Sequence, residues 1–152
     1  MEFIKHGTWL LLQSEKKDIL FTEENITIDS LLLDMSGEYE KSGFMCHMMK
    51  YETFLVAHLR VEGYWIAYIN IPKIELNPTL REFLWSVDIL VIPGSKESVW
   101  MIEQIDPRSI IAYWPQWHEL STSLGHSIES LDRWKLKETD LNTDKTACIL
   151  IG

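Results

Sequence analysis

The chain has 152 residues, 46% of them hydrophobic and 24% charged, which suits one globular domain with a real core. Its formal net charge of −9 argues against nucleic-acid binding, which rests on clustered Lys and Arg. No apolar run approaches the length of a membrane span, and Met1-Glu2-Phe3-Ile4-Lys5-His6-Gly7 lacks the basic-then-apolar order of a signal peptide; a cytoplasmic protein is expected.

The opening residues read as a first strand. Thr8 to Gln13 and Asp18 to Phe21 flank the polar Ser14-Glu15-Lys16-Lys17 and predict a hairpin. Ile26 to Leu33 reads as one further strand, and Ser36-Gly37-Glu38-Tyr39-Glu40 as a turn. Gly43 to Met49, Thr53 to Val61 and Tyr64 to Ile69 predict three adjacent antiparallel strands, the last two joined at Glu62-Gly63.

The period then changes. Asn77-Pro78 is a helix start, and Leu80, Phe83, Leu84 and Val87 form one apolar stripe. Ile89 to Ile92 predicts a strand buried on both faces, ended by Pro93-Gly94. Ser95 is expected to cap a second helix carrying Val99, Ile102 and Ile105, stopped by Asp106-Pro107. Ile110 to Tyr113 is another buried strand. A weaker helix is predicted from Trp117 to about Leu124, closed by Gly125, and Arg133–Lys137 with Thr146–Ile151 predict a final strand pair.

Two cysteines, Cys46 and Cys148, lie in apolar stretches and fit a reducing compartment; the sequence leaves their pairing open. Seven tryptophans are many for this length and hint at an interface.

In this order the segments resemble the metal-dependent hydrolases of the metallo-β-lactamase fold, in the branch related to ascorbate-6-phosphate lactonases. Phe3 to Trp9 is similar to that family's first strand and Gly-His-Ser turn. Ser36-Gly37-Glu38-Tyr39-Glu40 resembles its Pro-Gly-Glu-Tyr-Glu segment. Tyr64 to Asn70 occupies the place of the strand ending in His-Leu-Gly-Asp, and Val87 to Gly94 resembles Asp-Val-Leu-Leu-Ile-Pro-Val-Gly. Ile102 to Arg108 is similar to the helix before a Pro-Met-His strand, and Leu131 to Lys137 with Ala147 to Leu150 to the closing strands. The resemblance implies one α+β, αββα-like domain over residues 1–152, a shortened metallo-β-lactamase-type fold. Antiparallel strands fill its N-terminal half, and helix and strand alternate in its C-terminal half.

Hydrolysis in that family uses zinc to activate a bound water. Its His-x-His-x-Asp-His loop has no counterpart here. Only Glu23-Glu24-Asn25-Ile26-Thr27 connects the strand ending near Thr22 to the next one. The bridging Asp falls on Asn70 or Ile71, and the late His on Trp114. An amide or alkyl group does not replace a bridging carboxylate, and indole has no lone pair for a metal. The resemblance therefore implies no metal ligand, no catalytic residue and no cofactor, with His6, Asn70, Ile71 and Trp114 lining a vestigial pocket.

The other histidines, His47, His58, His118 and His126, lack ligand spacing, and Cys46 and His47 point to opposite faces of a strand. Gly94-Ser95-Lys96 lacks the first glycine of a phosphate loop, and no Gly-x-Ser-x-Gly elbow exists. Trp114 is expected to fill the space left by zinc, while Tyr113 and Trp117 are candidates for an interface.

The expected function is that of a catalytically inactive protein-binding or assembly subunit, acting with a protein partner or as a homo-oligomer. The alternatives are a small metal-dependent hydrolase or lactonase with a non-standard site, and a small-molecule sensor using the vestigial pocket.

Overall fold

Period-two alternation builds the first sheet. A computed structural model describes residues 1–15, 17–113, 130–137, 141 and 147–151. Strands β1 (Glu2–His6), β2 (Trp9–Ser14), β3 (Lys17–Phe21), β4 (Ile26–Ile28) and β5 (Leu31–Leu33) follow one another by antiparallel hairpins, and β13 (Arg133–Lys135) pairs on the other side of β1. Phe3, Leu12, Ile19 and Ile28 form one inward row across the sheet; Leu10, Phe21, Ile26 and Leu33 form the next.

The expected single strand from Ile26 to Leu33 is two strands. Asp29 and Ser30 both take positive φ, 45° and 72°, the backbone that lets a two-residue turn match the twist of its strands. The expected turn at residues 36–40 is instead the edge strand β6 (Gly37–Lys41). Tyr39 packs inward while Glu38 and Glu40 stay in solvent. Charge on an edge strand discourages further pairing, which is why this segment looks like a loop. The turn lies at Ser42-Gly43, where φ is again positive, and the Ser42 hydroxyl donates to the Asp29 carboxylate.

The second sheet runs β12-β14-β11-β10-β9-β8-β7-β6. Its antiparallel part comprises β6, β7 (Phe44–Lys50), β8 (Leu55–Val61) and β9 (Tyr64–Ile69), the last three as expected. Strands β9, β10 (Ile89–Pro93), β11 (Ser109–Tyr113) and β14 (Ala147–Ile151) are parallel, with β12 (Ser130–Leu131) beside β14. The predicted final strand pair does not exist as a pair. β13 joins the first sheet and β14 the second, because each adds to a different buried row.

Helix α1 (Pro78–Phe83) starts as expected: Asn77 Oδ1 accepts the Leu80 N–H at 2.9 Å, and Pro78 is the first helical residue. It ends before Val87. Helix α2 (Ser98–Ile105) starts three residues later than Ser95; the Ser95 hydroxyl accepts the Glu97 N–H at 3.3 Å in the preceding turn and does not cap the helix. Asp106, at φ 53°, ends it. Elements α1, β10, α2 and β11 succeed one another, and the described residues beyond Tyr113 add only strands as regular elements.

The second sheet separates two cores. Phe3, Phe21, Met48, Leu59 and Tyr68 lie between the sheets. Val56, Ile69, Leu80, Ile92 and Met101 lie between the second sheet and the helices. Among the described residues this makes three layers, sheet on sheet on helices, where four were expected. No described helix covers the outer face of the first sheet. Cys46 sits in the first core and Cys148 against the second, both free thiols, so they do not pair. Burial pushes both up to about 12. No described helix is long and apolar enough to cross a membrane.

Candidate functional site

Parallel strands deliver their C-terminal ends to one rim of the sandwich, where α/β folds usually place their ligands. Here β9 leads into Asn70, β10 ends at Pro93 before Gly94, and β11 ends at Tyr113. The β3–β4 loop, residues 22–25, arrives from the first sheet, and the β7–β8 loop, residues 51–54, closes the side. Between them lies a cavity of about 730 Å³ lined by Glu23, Glu24, Lys50, Tyr51, Asn70 and Ile71 among others.

Four polar side chains of this rim are bonded to one another or to backbone. Asn70 Oδ1 accepts the Leu55 N–H at 2.7 Å, and Asn70 Nδ2 donates to the Glu23 carbonyl at 2.5 Å. The side chain is thus a clip joining β8 to the β3–β4 loop. That task needs an acceptor and a donor on one group, which an amide has and an ionised carboxylate lacks. The buried Tyr113 hydroxyl donates to Tyr68 Oη at 3.2 Å, and the Tyr68 hydroxyl donates to the Thr22 carbonyl. Burial raises the pKa of both phenols, so both stay neutral donors. Thr22 closes the loop, donating to Asn25 Oδ1 at 2.8 Å and accepting the Asn25 N–H at 3.1 Å.

Of the residues expected in a vestigial pocket, Asn70 and Ile71 line this cavity. His6 does not. It lies at the exposed end of β1 opposite Trp9, on the outer face of the first sheet. Trp114 lies outside the described residues, as do Trp117, His118, His126 and the helix predicted from Trp117. Tyr113, expected at an interface, is 6% exposed and belongs to the core. Its place at the end of a buried strand, with its hydroxyl on Tyr68, explains the correction.

Zinc needs imidazole, thiolate or carboxylate groups converging on one point. Among the described residues no group of three or more His, Cys, Asp or Glu side chains does so. At the rim, Asn70 has both ends of its amide engaged. The described residues do not fit a zinc centre.

A second cluster was not anticipated from the sequence. On the helix-facing side of β7, β8 and β9, His58 stacks on Trp65 at 4.5 Å between centroids, and Trp85 meets Trp65 edge-on at 5.2 Å. His47, opposite His58 in the ladder, meets Phe83 at 4.7 Å. His58 Nε2 lies 2.7 Å from the Ser86 carbonyl, so that nitrogen carries the proton and donates. Burial lowers the His58 pKa, partly offset by that carbonyl. Strand alternation could have placed His47, His58 and Trp65 on one face; the arrival of Trp85 from beyond α1 had no signal.

No protein-family profile and no curated protein matches the chain. Among solved structures, a crystal structure of a candidate zinc-dependent hydrolase of the metallo-β-lactamase superfamily, from Thermotoga maritima, superposes with a TM-score of 0.76 at 16% identity. The fold is of the metallo-β-lactamase type. The match covers 99% of this chain and 100% of that one. The two are therefore alike end to end, and the expected shortening is not a difference between them. At 16% identity the likeness carries the architecture and leaves the chemistry to the residues described above.

Proposed function

We propose that this chain is a non-hydrolytic protein of the metallo-β-lactamase fold that works by binding, as a partner-binding or assembly subunit in the cytoplasm. The observation that carries this reading is the rim. Where a hydrolase would gather metal ligands, Asn70 is an amide clip and Tyr68 and Tyr113 are neutral phenols bonded to each other and to backbone; Glu23, Glu24 and Glu52 line the cavity, but among the described residues no three potential ligands converge.

The outer face of the first sheet supports the binding half of the reading. Ile4, Leu11, Leu20, Thr27 and Leu32 are successive cross-strand partners on that face, half-buried or exposed. An apolar row on a sheet face is stable when a second layer covers it. A second copy of the chain is the simplest such layer.

Light scattering after size exclusion tests this directly. A mass above the 17.9 kDa of one chain is expected; a clean monomer removes the self-assembly reading. Elemental analysis of the purified protein tests the other half. Stoichiometric zinc, manganese or iron, removed together with a hydrolytic activity, would overturn it in favour of a metal-dependent hydrolase or lactonase.

A second reading, a small-molecule sensor, rests on the rim cavity of about 730 Å³, a volume typical of ligand sites. Thermal-shift measurements with sugar phosphates and nucleotides test it, and an unchanged melting temperature across the set counts against it.

A further inference from the structure

The step between α1 and the free edge of the second sheet holds a pocket of about 490 Å³, separate from the rim cavity. Met45 from β7 and Trp85 from just beyond α1 line it, and these side chains are 55% and 65% exposed. Such large apolar groups, gathered around one concavity, mark a place that something covers. Two carboxylates line the same pocket, Glu38 from the sheet edge and Glu82 from α1. His47 Nδ1 lies 3.9 Å from Glu38 Oε1 at the pocket's edge.

Aromatic faces carry negative electrostatic potential and attract cations. The cluster already holds one: the Arg60 guanidinium carbon lies 4.6 Å from the Trp65 ring centroid. Trp85 and Phe83 present further ring surface to the pocket. His58, stacked on Trp65, has its pKa lowered by burial and adds no positive charge near neutral pH. The net charge of −9 sets a field of the same sign around the whole chain. An anion finds carboxylates here, and a neutral apolar ligand leaves them unused.

We propose that this pocket binds a small organic cation of the alkylammonium class. Its methyl and methylene groups lie against Trp85, Phe83 and Met45, and its charge faces Glu38 and Glu82. The inference does not depend on the proposed function, because none of these residues belongs to the rim or to the outer face of the first sheet.

Isothermal titration calorimetry with choline tests it against neohexyl alcohol, which has the same shape without the charge. Choline is expected to bind saturably and about ten-fold or more tighter than the alcohol. Trp85→Ala is expected to weaken choline about ten-fold, with circular dichroism confirming that the variant is folded. Glu82→Gln is expected to weaken choline and leave the alcohol unchanged. No saturable heat with choline, or equal affinity for the two compounds, overturns the proposal. So does a Trp85→Ala variant that dissociates to monomer while the parent ignores choline, because that result assigns the pocket to a second copy.

Discussion

The rim and the aromatic face of the second sheet use polar groups in opposite ways. At the rim, Asn70, Tyr68, Tyr113 and Thr22 spend their donors and acceptors on each other and on backbone, tying the β3–β4 loop to the second sheet. At the aromatic face, Trp85, Met45 and Glu38 remain open to solvent. Buried and satisfied polar groups specify structure; exposed aromatic and charged groups around a concavity offer recognition. The hydrogen-bonded part of the rim is therefore built as a strut, and the recognition surface proposed above lies elsewhere.

Removing the strut should cost the most. Tyr68 is fully buried, its ring lies 4.9 Å from that of Phe21 at a tilt of 46°, and it carries the hydroxyl chain. Tyr68→Ala is expected to destabilise by about 3–5 kcal/mol, measured by urea denaturation. A loss near that of a surface substitution would show that the rim is not structural.

Asn70→Asp tests the same strut more finely. The ionised carboxylate keeps an acceptor for Leu55 N–H but loses the donor to the Glu23 carbonyl, an expected loss of about 1–3 kcal/mol. The sign of its pH dependence follows. The protonated acid can donate, so the folded state favours protonation and raises the pKa of this carboxyl above its unfolded value near 3.9. The penalty is then smallest at acid pH and grows as pH rises through the folded value. Uptake of stoichiometric zinc by Asn70→Asp, with no loss of stability, would identify the rim as a metal site one residue from completion.

His58 separates the two regions by titration. Its folded pKa lies below the ordinary value near 6.5 because of burial. Between the two values the unfolded chain binds more protons, so stability rises with pH there. It is lost as pH falls from about 6.5 through the folded value. His58→Gln keeps a donor for the Ser86 carbonyl and is expected to flatten that part of the acid slope. Melting temperatures of parent and variant between about pH 5 and 7.5 measure the difference. An unchanged slope would mean that His58 binds protons equally in the folded and unfolded chain, and the aromatic face would then gain a cation-repelling charge as pH falls through the ordinary imidazole range.

What the sequence revealed follows the range of the interaction. The α1 start was legible because Asn77, Pro78 and Leu80 are neighbours. The buried runs of β10 and β11 were legible because a strand covered on both faces needs no pattern beyond continuity. The break at Asp29-Ser30 was not, since neither residue is the glycine that usually announces positive φ. The β6 strand hid because charged edge strands and loops share a composition. At the site, Asn70 was visible as a lost ligand, but its actual task depends on Glu23, 47 positions away. The clustering of Trp65 with Trp85 depends on how α1 returns to the sheet, which no local spacing encodes.

The smallest stability effect is expected where the proposed partner surface begins. Leu32 is 52% exposed on the edge strand β5, directed outward opposite Thr27, whereas its neighbour Leu33 is 1% exposed in the core. Lysine is well tolerated on a sheet edge, so Leu32→Lys should change stability by no more than about 0.5 kcal/mol. Leu33→Lys, burying an unpaired charge one residue away, should unfold the domain. If the row from Ile4 to Leu32 receives a second copy, Leu32→Lys places two like charges near that contact and shifts the light-scattering mass toward the monomer at unchanged melting temperature. An oligomer indifferent to Leu32→Lys but dissolved by Trp85→Ala would move the assembly surface from the first sheet to the aromatic face, and the contrast between strut and recognition surface would then hold for assembly as well.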